Sequence, residues 1–189
     1  AEEALELCRA VKDSKPTDEN LLSTLYLTLR ALKQLPLATE CYEYAHSVQP
    51  KNETLAVGLF LSYVREMNLQ KQQMFAMKLW KSFGQPRFIF WGIVSAYFQG
   101  KHNNLPQFVQ LSRKMIDKRC EDGELTSSEE ALFYVNLLVD MGEVDRAIGL
   151  IQDGGKLAPL LQIQLERKGL LAGLQLAANA SADAQATFK

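Results

Sequence analysis

Residues 20–52 read NLLSTLYLTLRALKQLPLATECYEYAHSVQPKN and have the pattern of two amphipathic helices in succession. In the first half, large apolar residues recur at the i, i+3, i+4, i+7 spacing of one helical face: Leu22, Leu25, Tyr26, Leu29 and Leu32. In the second half, the predicted apolar face consists of Ala38, Tyr42, Ala45 and Val48. Pro50 ends this half, because proline disfavours helix at the residue before it. We therefore predict a helical hairpin in which Tyr42 fills the space between two closely approaching helices.

The second-helix pattern recurs with a period of 34 residues. Pro16 and Pro50 have this separation. So do three further pairs, which are Ala4 and Ala38, Cys8 and Tyr42, and Val11 and Ala45. A first helix of large apolar residues, an A-x3-aromatic second helix and a closing proline at this period are typical of tetratricopeptide repeats. Residues 1–16 are therefore predicted to be the second helix of a repeat. Because residue 1 is not Met, we expect the chain to be a fragment or processed piece of a longer array.

Similar segments follow along the chain. The predicted repeats span residues 20–52, 53–86, 87–120 and 128–155, with a polar loop at 100–104 inside the third. One further amphipathic helix, interrupted near Gly169 and Gly173, is predicted for residues 157–178. Residues 1–178 would thus form one array, and residues 179–189 a poorly ordered tail or an insertion. The expected fold class is all-α, a tetratricopeptide-like α-solenoid of antiparallel helix hairpins in a right-handed superhelix.

Composition narrows the classes of function. The 189 residues carry a formal net charge of −1, whereas a nucleic-acid-binding domain is normally strongly basic. The longest apolar run, residues 88–98, is interrupted by Gly92 and Ser95 and is far shorter than the roughly 20 residues that span a membrane. Three cysteines without pairing spacing fit a reducing compartment. We therefore predict a cytoplasmic protein with no membrane partner and no sequence-specific nucleic-acid partner.

No pattern of residues indicates catalysis. Neither His46 nor His102 has Cys, His, Asp or Glu at ligand spacing, so no metal site is predicted. Two acidic residues follow Cys120, and their charge would raise its pKa and disfavour a reactive thiolate. We predict no catalytic residue and no cofactor site. Cys8 and Cys41 are interpreted as small buried hydrophobic residues.

Function is therefore expected at a surface. A basic cluster, Arg113, Lys114, Lys118 and Arg119, lies on a predicted helix. Its charge fits either a solvated helix face or contact with an acidic or phosphate-bearing partner, and the sequence leaves both interpretations open.

In this repeat the first helices line the concave surface. Counting repeat positions from Pro50 and from Gly142 predicts this lining for three repeats: Asn20, Leu27, Arg30, Val57, Leu61, Arg65, Asn136 and Asp140. Aliphatic side chains mixed with isolated charges resemble the apolar centre and polar rim of a protein–protein interface. We therefore predict a folded protein partner, with Leu27 and Leu61 as apolar contacts and Arg30 and Arg65 as charged contacts. Alternatively, the two leucines pack on neighbouring repeats.

The order of several short motifs resembles that of a known family. They are Glu3-Ala4-Leu5, Pro16-Thr17-Asp18-Glu19-Asn20, Tyr42-Glu43 with Ala45 and Pro50, Phe90-Trp91 with Ser95, and Gly142-Glu143 with Ala147 and Ile148. In this order they resemble the auxiliary subunits of the NatB N-terminal acetyltransferase, over roughly Glu2 to Lys156.

This resemblance implies a non-catalytic scaffold that binds a separate, GNAT-type catalytic acetyltransferase subunit. It also implies that the complex acetylates nascent chains beginning Met-Asp, Met-Glu, Met-Asn or Met-Gln, with the ribosome as a further partner. The alternative function is a generic peptide-binding or co-chaperone adaptor. Such an adaptor would hold an acidic C-terminus with Lys and Asn at inward positions, where this chain has Ser23 and Leu27.

Overall fold

The computed structural model describes residues 2–161 and 164–178, together with residues 184, 186 and 187. Over these residues the chain forms ten α helices and one short 3-10 helix, and no strand. The helices are α1 Glu2–Asp13, α2 Glu19–Ala31, α3 Leu35–Val48, α4 Glu53–Arg65, α5 Leu69–Phe83, α6 Pro86–His102, α7 Pro106–Glu121, α8 Ser128–Asp140, α9 Val144–Ile151 and α10 Gln164–Ala177. The chain divides within α7 into two compact units, Ala1–Val109 and Gln110–Lys189.

The first unit is built from consecutive antiparallel hairpins, in which α2 packs on α3 and α4 packs on α5. A polar side chain caps the first helix of each of these two hairpins. The Asp18 carboxylate accepts a hydrogen bond from the Leu21 amide at 2.8 Å, and the Asn52 side chain accepts one from the Leu55 amide at 3.2 Å. These contacts satisfy amides that have no partner inside the helix.

The turn between the two helices of a hairpin has the same geometry in both units. One residue there adopts a left-handed backbone conformation, and these residues are Lys33, Met67, Asn104 and Gly142, with φ of 57°, 54°, 54° and 79°. The next residue donates its amide to the carbonyl five residues earlier, as in Gln34 to Leu29 and Glu143 to Leu138, both at 2.8 Å. This is the Schellman arrangement that ends many helices.

The core of the first unit follows the predicted pattern, with one exception. Leu22, Leu25, Leu29, Ala38, Tyr42 and Ala45 are all buried. The Tyr42 ring fills the space beside Gly58, where an added Cβ would lie 2.4 Å from the ring. Val48 was predicted to be buried but is 53% exposed, because it is the last residue of α3, where the hairpin ends.

The predicted loop at 100–104 is largely helical. α6 continues to His102, and the chain turns at Asn104. Gly100 is a buried residue of this helix, where a Cβ would lie 2.8 Å from the Val109 amide nitrogen. The glycine therefore permits a close approach of two backbone segments and does not mark a turn.

The second unit contains the α8–α9 hairpin. Ser127 and Glu130 form a reciprocal capping box at the start of α8. The residues that match the first-helix pattern, Ala131, Tyr134, Val135 and Leu138, are fully buried.

The predicted single helix at 157–178 is wrong. A 3-10 helix spans Ala158–Leu160, and α10 begins only at Gln164. The Leu157 amide donates to the Leu150 carbonyl at 2.9 Å, which folds the chain back after α9. Gly169 and Gly173 do not interrupt α10, since glycine costs a helix only about 1 kcal/mol. The predicted tail at 179–189 lies outside the described residues, except for 184, 186 and 187.

Candidate partner-binding surface

The lining residues predicted in the first unit differ in exposure. On α2, Asn20, Leu27 and Arg30 are exposed, and Leu27 exposes 60% of its surface. On α4, Arg65 is exposed, whereas Val57 and Leu61 are partly buried and pack against the core. Leu27 is thus available to a partner, while Leu61 also contributes to the packing of its own unit.

A contact between α2 and α4 organises this surface. The Arg65 guanidinium lies over the Tyr26 ring, with Cζ 4.0 Å from the ring centroid. A guanidinium over an aromatic face is held by attraction to the ring quadrupole. The sequence pattern placed Tyr26 on the apolar face and Arg65 in the lining, but it did not indicate that the two side chains meet.

Polar contacts also align the starts of successive first helices. The Asn52 side chain, which caps α4, donates to the Glu19 carboxylate of α2 at 2.8 Å. One repeat later, the Gln85 side chain donates to Glu53 at 2.7 Å, and Arg87 pairs with the same carboxylate. Because each contact joins the first turn of one helix to the N-terminal cap or first turn of the next first helix, these pairs hold α2, α4 and α6 in register.

In the second unit the predicted lining residues Asn136 and Asp140 lie exposed on α8. Leu132, on the same helix, is 41% exposed and lines a cavity of about 460 Å³ together with Leu160, Leu161 and Leu170. This surface therefore also combines apolar and polar side chains.

The basic cluster does not form one solvated face. Arg113 and Arg119 are buried, with exposures of 7% and 6%, whereas Lys114 and Lys118 are exposed. Arg113 donates to both carboxylate oxygens of Glu143, one of them at 2.8 Å, and to Asp117 at 2.7 Å. These hydrogen bonds raise the pKa of Arg113, and those from Arg113 lower the pKa of Glu143.

Arg119 has a separate acidic partner. It donates to the buried Glu130 carboxylate at 3.0 Å and to the Glu124 carbonyl at the same distance. Glu130 is the acidic member of the capping box, so one carboxylate serves both the helix start and the ion pair. Burial of two charges requires such pairing, and the role of both arginines is therefore structural.

A hydrogen-bond network surrounds Asp117. The Tyr134 hydroxyl donates to Asp117, and Arg146 donates to that hydroxyl at 2.9 Å and to Asp117 at 3.2 Å. Burial and the hydrogen bond to Asp117 both raise the pKa of Tyr134. Sequence reasoning missed this network, since its members are separated along the chain.

The three cysteine side chains are buried as packing groups. Cys8, Cys41 and Cys120 are free and buried. Burial raises the pKa of Cys41 to about 11 and also raises that of Cys120, so neither favours the thiolate. Among the described residues no group of three His, Cys, Asp or Glu side chains could hold a metal ion. In the same part of the chain, no helix is both long and apolar enough to cross a membrane.

Together, the hairpins, their repeated turns and the aligned first helices define the class of protein as a tetratricopeptide-like α-solenoid. The fold is similar to the crystal structure of a thermophilic TPR protein from Thermus thermophilus, with a TM-score of 0.54 and 17% identity over 90% of this chain and 88% of that one. Residues 1–188 match the family described as Psidin, N-terminal TPR repeats region. The chain belongs to this family.

Several curated relatives carry names that describe an assembly. The chain is 31% identical to the N-terminal acetyltransferase B complex auxiliary subunit NAA25 of Arabidopsis thaliana, over 94% of this chain and 17% of the relative. It is 28% identical to the human NatB auxiliary subunit, over 88% of this chain and 18% of the relative. The phagocyte signaling-impaired protein of Drosophila pseudoobscura pseudoobscura is 33% identical over 72% of this chain and 15% of the relative. The chain thus spans less than a fifth of the length of these relatives.

Proposed function

We propose that this chain is part of a non-catalytic auxiliary subunit of a NatB-type N-terminal acetyltransferase. The observation that carries the proposal is the similarity to NatB auxiliary subunits over most of the chain. A fold of stacked helical hairpins suits such a role, because solenoids bind partners along an extended surface.

The partner in this proposal is a GNAT-type catalytic acetyltransferase subunit. The complex acetylates nascent chains that begin with Met-Asp, Met-Glu, Met-Asn or Met-Gln, in the cytoplasm and close to the ribosome. The family resemblance supports these finer points. The burial of Arg113 and Arg119 leaves only Lys114 and Lys118 of the basic cluster accessible to a ribosomal surface.

The contact surface in this proposal is the predicted lining of the first helices. In the first unit, α2 and α4 supply the exposed groups of Asn20, Leu27, Arg30 and Arg65 and the partly buried apolar side chains of Val57 and Leu61. In the second unit, taken by itself, α8 supplies the exposed Asn136 and Asp140. An exposed leucine flanked by charged side chains fits the centre and rim of a protein interface.

The test uses the full-length protein that contains this chain and the catalytic subunit from the same organism. We expect the two to co-purify, and the complex to acetylate a Met-Asp peptide with acetyl-CoA. A Met-Lys peptide of otherwise identical sequence is the control and should react far more slowly. Turnover of the Met-Asp peptide by the purified full-length protein alone would contradict the non-catalytic role, and failure to co-purify would contradict the scaffold role.

A further inference from the structure

Five side chains of α2 and α4 form one surface, which we call the α2–α4 patch: Tyr26, Leu27, Arg30, Leu61 and Arg65. Arg30 follows Tyr26 by four residues and Leu27 by three, so these side chains lie on one side of α2. Arg65 follows Leu61 by four residues on α4, and its guanidinium covers the Tyr26 ring. The patch therefore places Arg30 one helical turn from both Tyr26 and the exposed Leu27, and the Arg65 guanidinium over the Tyr26 ring.

The arginines of the patch differ from three ion-paired cations of the first unit. Lys12, Lys71 and Arg87 each pair with a carboxylate of a neighbouring helix, namely Glu40, Glu43 and Glu53. Among the described residues, no carboxylate lies within salt-bridge distance of Arg30 or Arg65. Arg65 is exposed and is instead held over the Tyr26 ring.

Such an arrangement suits a carboxylate ligand. Guanidinium groups recognise carboxylates through paired, charge-assisted hydrogen bonds, and a side chain that is already positioned loses less entropy on binding. The adjoining Leu27, with 60% of its surface exposed, favours a protein ligand, because an RNA backbone offers little apolar surface to cover it.

We propose that the α2–α4 patch binds an acidic segment of the catalytic acetyltransferase subunit, in which an Asp or Glu carboxylate meets Arg30 and Arg65 and a neighbouring apolar side chain covers Leu27. This inference rests on the proposed function above, since it takes that subunit as the partner. It adds the chemistry of the contact and assigns Tyr26 the role of positioning Arg65.

The first test measures the affinity of the full-length protein for the purified catalytic subunit. Arg65→Gln and Arg30→Gln should each weaken binding roughly tenfold, as is common for arginines at the centre of an interface. Tyr26→Leu should weaken it less, because it keeps the charge and removes only the positioning. Lys78→Gln is the matched control, since Lys78 also lies over an aromatic ring, that of Phe75 on α5, and it should bind like the wild type.

The second test identifies the ligand group directly. Arg65→Lys and Arg30→Lys preserve the charge and introduce an amine that a water-soluble carbodiimide couples to a nearby carboxylate. We expect each variant to give a new cross-link to an Asp or Glu of the catalytic subunit, located by mass spectrometry. A complex that still forms with both variants but gives no new cross-link to an Asp or Glu of the catalytic subunit would overturn the proposal.

Failure of this inference can be told apart from failure of the proposed function. If the wild-type protein forms no complex with the catalytic subunit, the result contradicts both the proposed function and this inference. If it forms the complex and both Arg→Gln variants bind with unchanged affinity, the result contradicts only the inference. If those variants lower the melting temperature and leave the affinity unchanged, the arginines only stabilise the partial negative charge at the C-terminal ends of their helices. That result would also overturn the inference.

Discussion

Arg113 shows how a single side chain can take a role that its neighbours in the sequence do not share. It is buried between Asp117 and Glu143, while Lys114, the next residue, is exposed. Both residues are basic, and only their angular position on α7 separates them. Loss of a buried charge leaves its acidic partners without compensation, whereas loss of an exposed charge leaves little changed.

We therefore expect Arg113→Ala to lower the free energy of unfolding by about 2–4 kcal/mol. Lys114→Ala is the matched control and should change it by less than about 0.5 kcal/mol. Urea denaturation of both variants, followed by circular dichroism, measures the difference. Equal effects of the two substitutions would contradict the structural role of Arg113.

His46 illustrates, for a single residue, the free-energy cost of burying an ionisable ring. Both ring nitrogens are buried and have no hydrogen-bond partner among the residues that the structure describes, and the ring lies edge-on to Phe75 with the centroids 5.2 Å apart. Burial lowers the pKa of His46, and the charge of nearby Lys78 lowers it further. The folded protein therefore holds the neutral imidazole and binds fewer protons than the unfolded chain.

This pKa shift has a definite sign in its effect on stability. The contribution of His46 is fully present above the ordinary histidine pKa of about 6.5 and is lost as the pH falls below it. We expect the melting temperature to fall more between pH 7.5 and pH 5.5 in the wild type than in His46→Leu. His102→Leu, which changes an exposed histidine, should retain the wild-type dependence. An unchanged pH dependence in His46→Leu would show that this residue is not responsible.

At the scale of elements, the backbone conformation of the hairpin turn is the same in four hairpins, although the residue types that form the turn differ. Lys33, Met67, Asn104 and Gly142 occupy equivalent left-handed positions, although only the last is a glycine. A side chain with a Cβ is disfavoured in this conformation, and Asn less so than Lys or Met. The surrounding hairpins therefore impose this conformation on Lys33 and Met67 against their local preference.

This difference predicts opposite effects of two substitutions. Met67→Gly should raise the free energy of unfolding by about 0.5–1 kcal/mol, because Met67 is 68% exposed and loses little packing. Gly142→Ala should lower it by about 1 kcal/mol. Thermal and urea unfolding of the two variants check both signs. Destabilisation by Met67→Gly would mean that the methionine side chain contributes a contact larger than the backbone cost.

At the scale of the whole molecule, apolar side chains at equivalent repeat positions either pack in the core or are exposed to a partner. Leu27 and Leu61 occupy equivalent repeat positions 34 residues apart. Leu27 is exposed, whereas Leu61 packs partly against the core of the first unit. The same position in the repeat therefore serves solvent-facing and packing roles in adjacent hairpins.

Leu27→Asp should weaken binding of the catalytic subunit while changing the melting temperature of the full-length protein by less than about 2 °C. Leu61→Asp should in addition destabilise the protein by a few kcal/mol, because it places a charge in a partly buried site. Differential scanning calorimetry and affinity measurements on both variants separate these effects. Leu27→Asp binding like the wild type would remove Leu27 from the proposed interface.

The sequence by itself determined the helical class, the hairpin periodicity and most of the core. These features depend on interactions between residues near in the chain, and on an apolar face that recurs every 34 residues, as with Ala38, Tyr42 and Ala45. Family membership also follows from sequence, since residues 1–188 match the Psidin N-terminal TPR repeats region.

Only the tertiary structure decided which charged side chains are buried and which surfaces are organised. Arg113 pairs with Glu143, which lies 30 residues further along the chain. Arg65 of α4 contacts Tyr26, which lies on α2 of the preceding repeat. Helical periodicity gives the direction of a side chain but not the group that it meets. That partner depends on how neighbouring helices pack, which is why the basic cluster divided into buried and exposed members and why the α2–α4 patch was not foreseen.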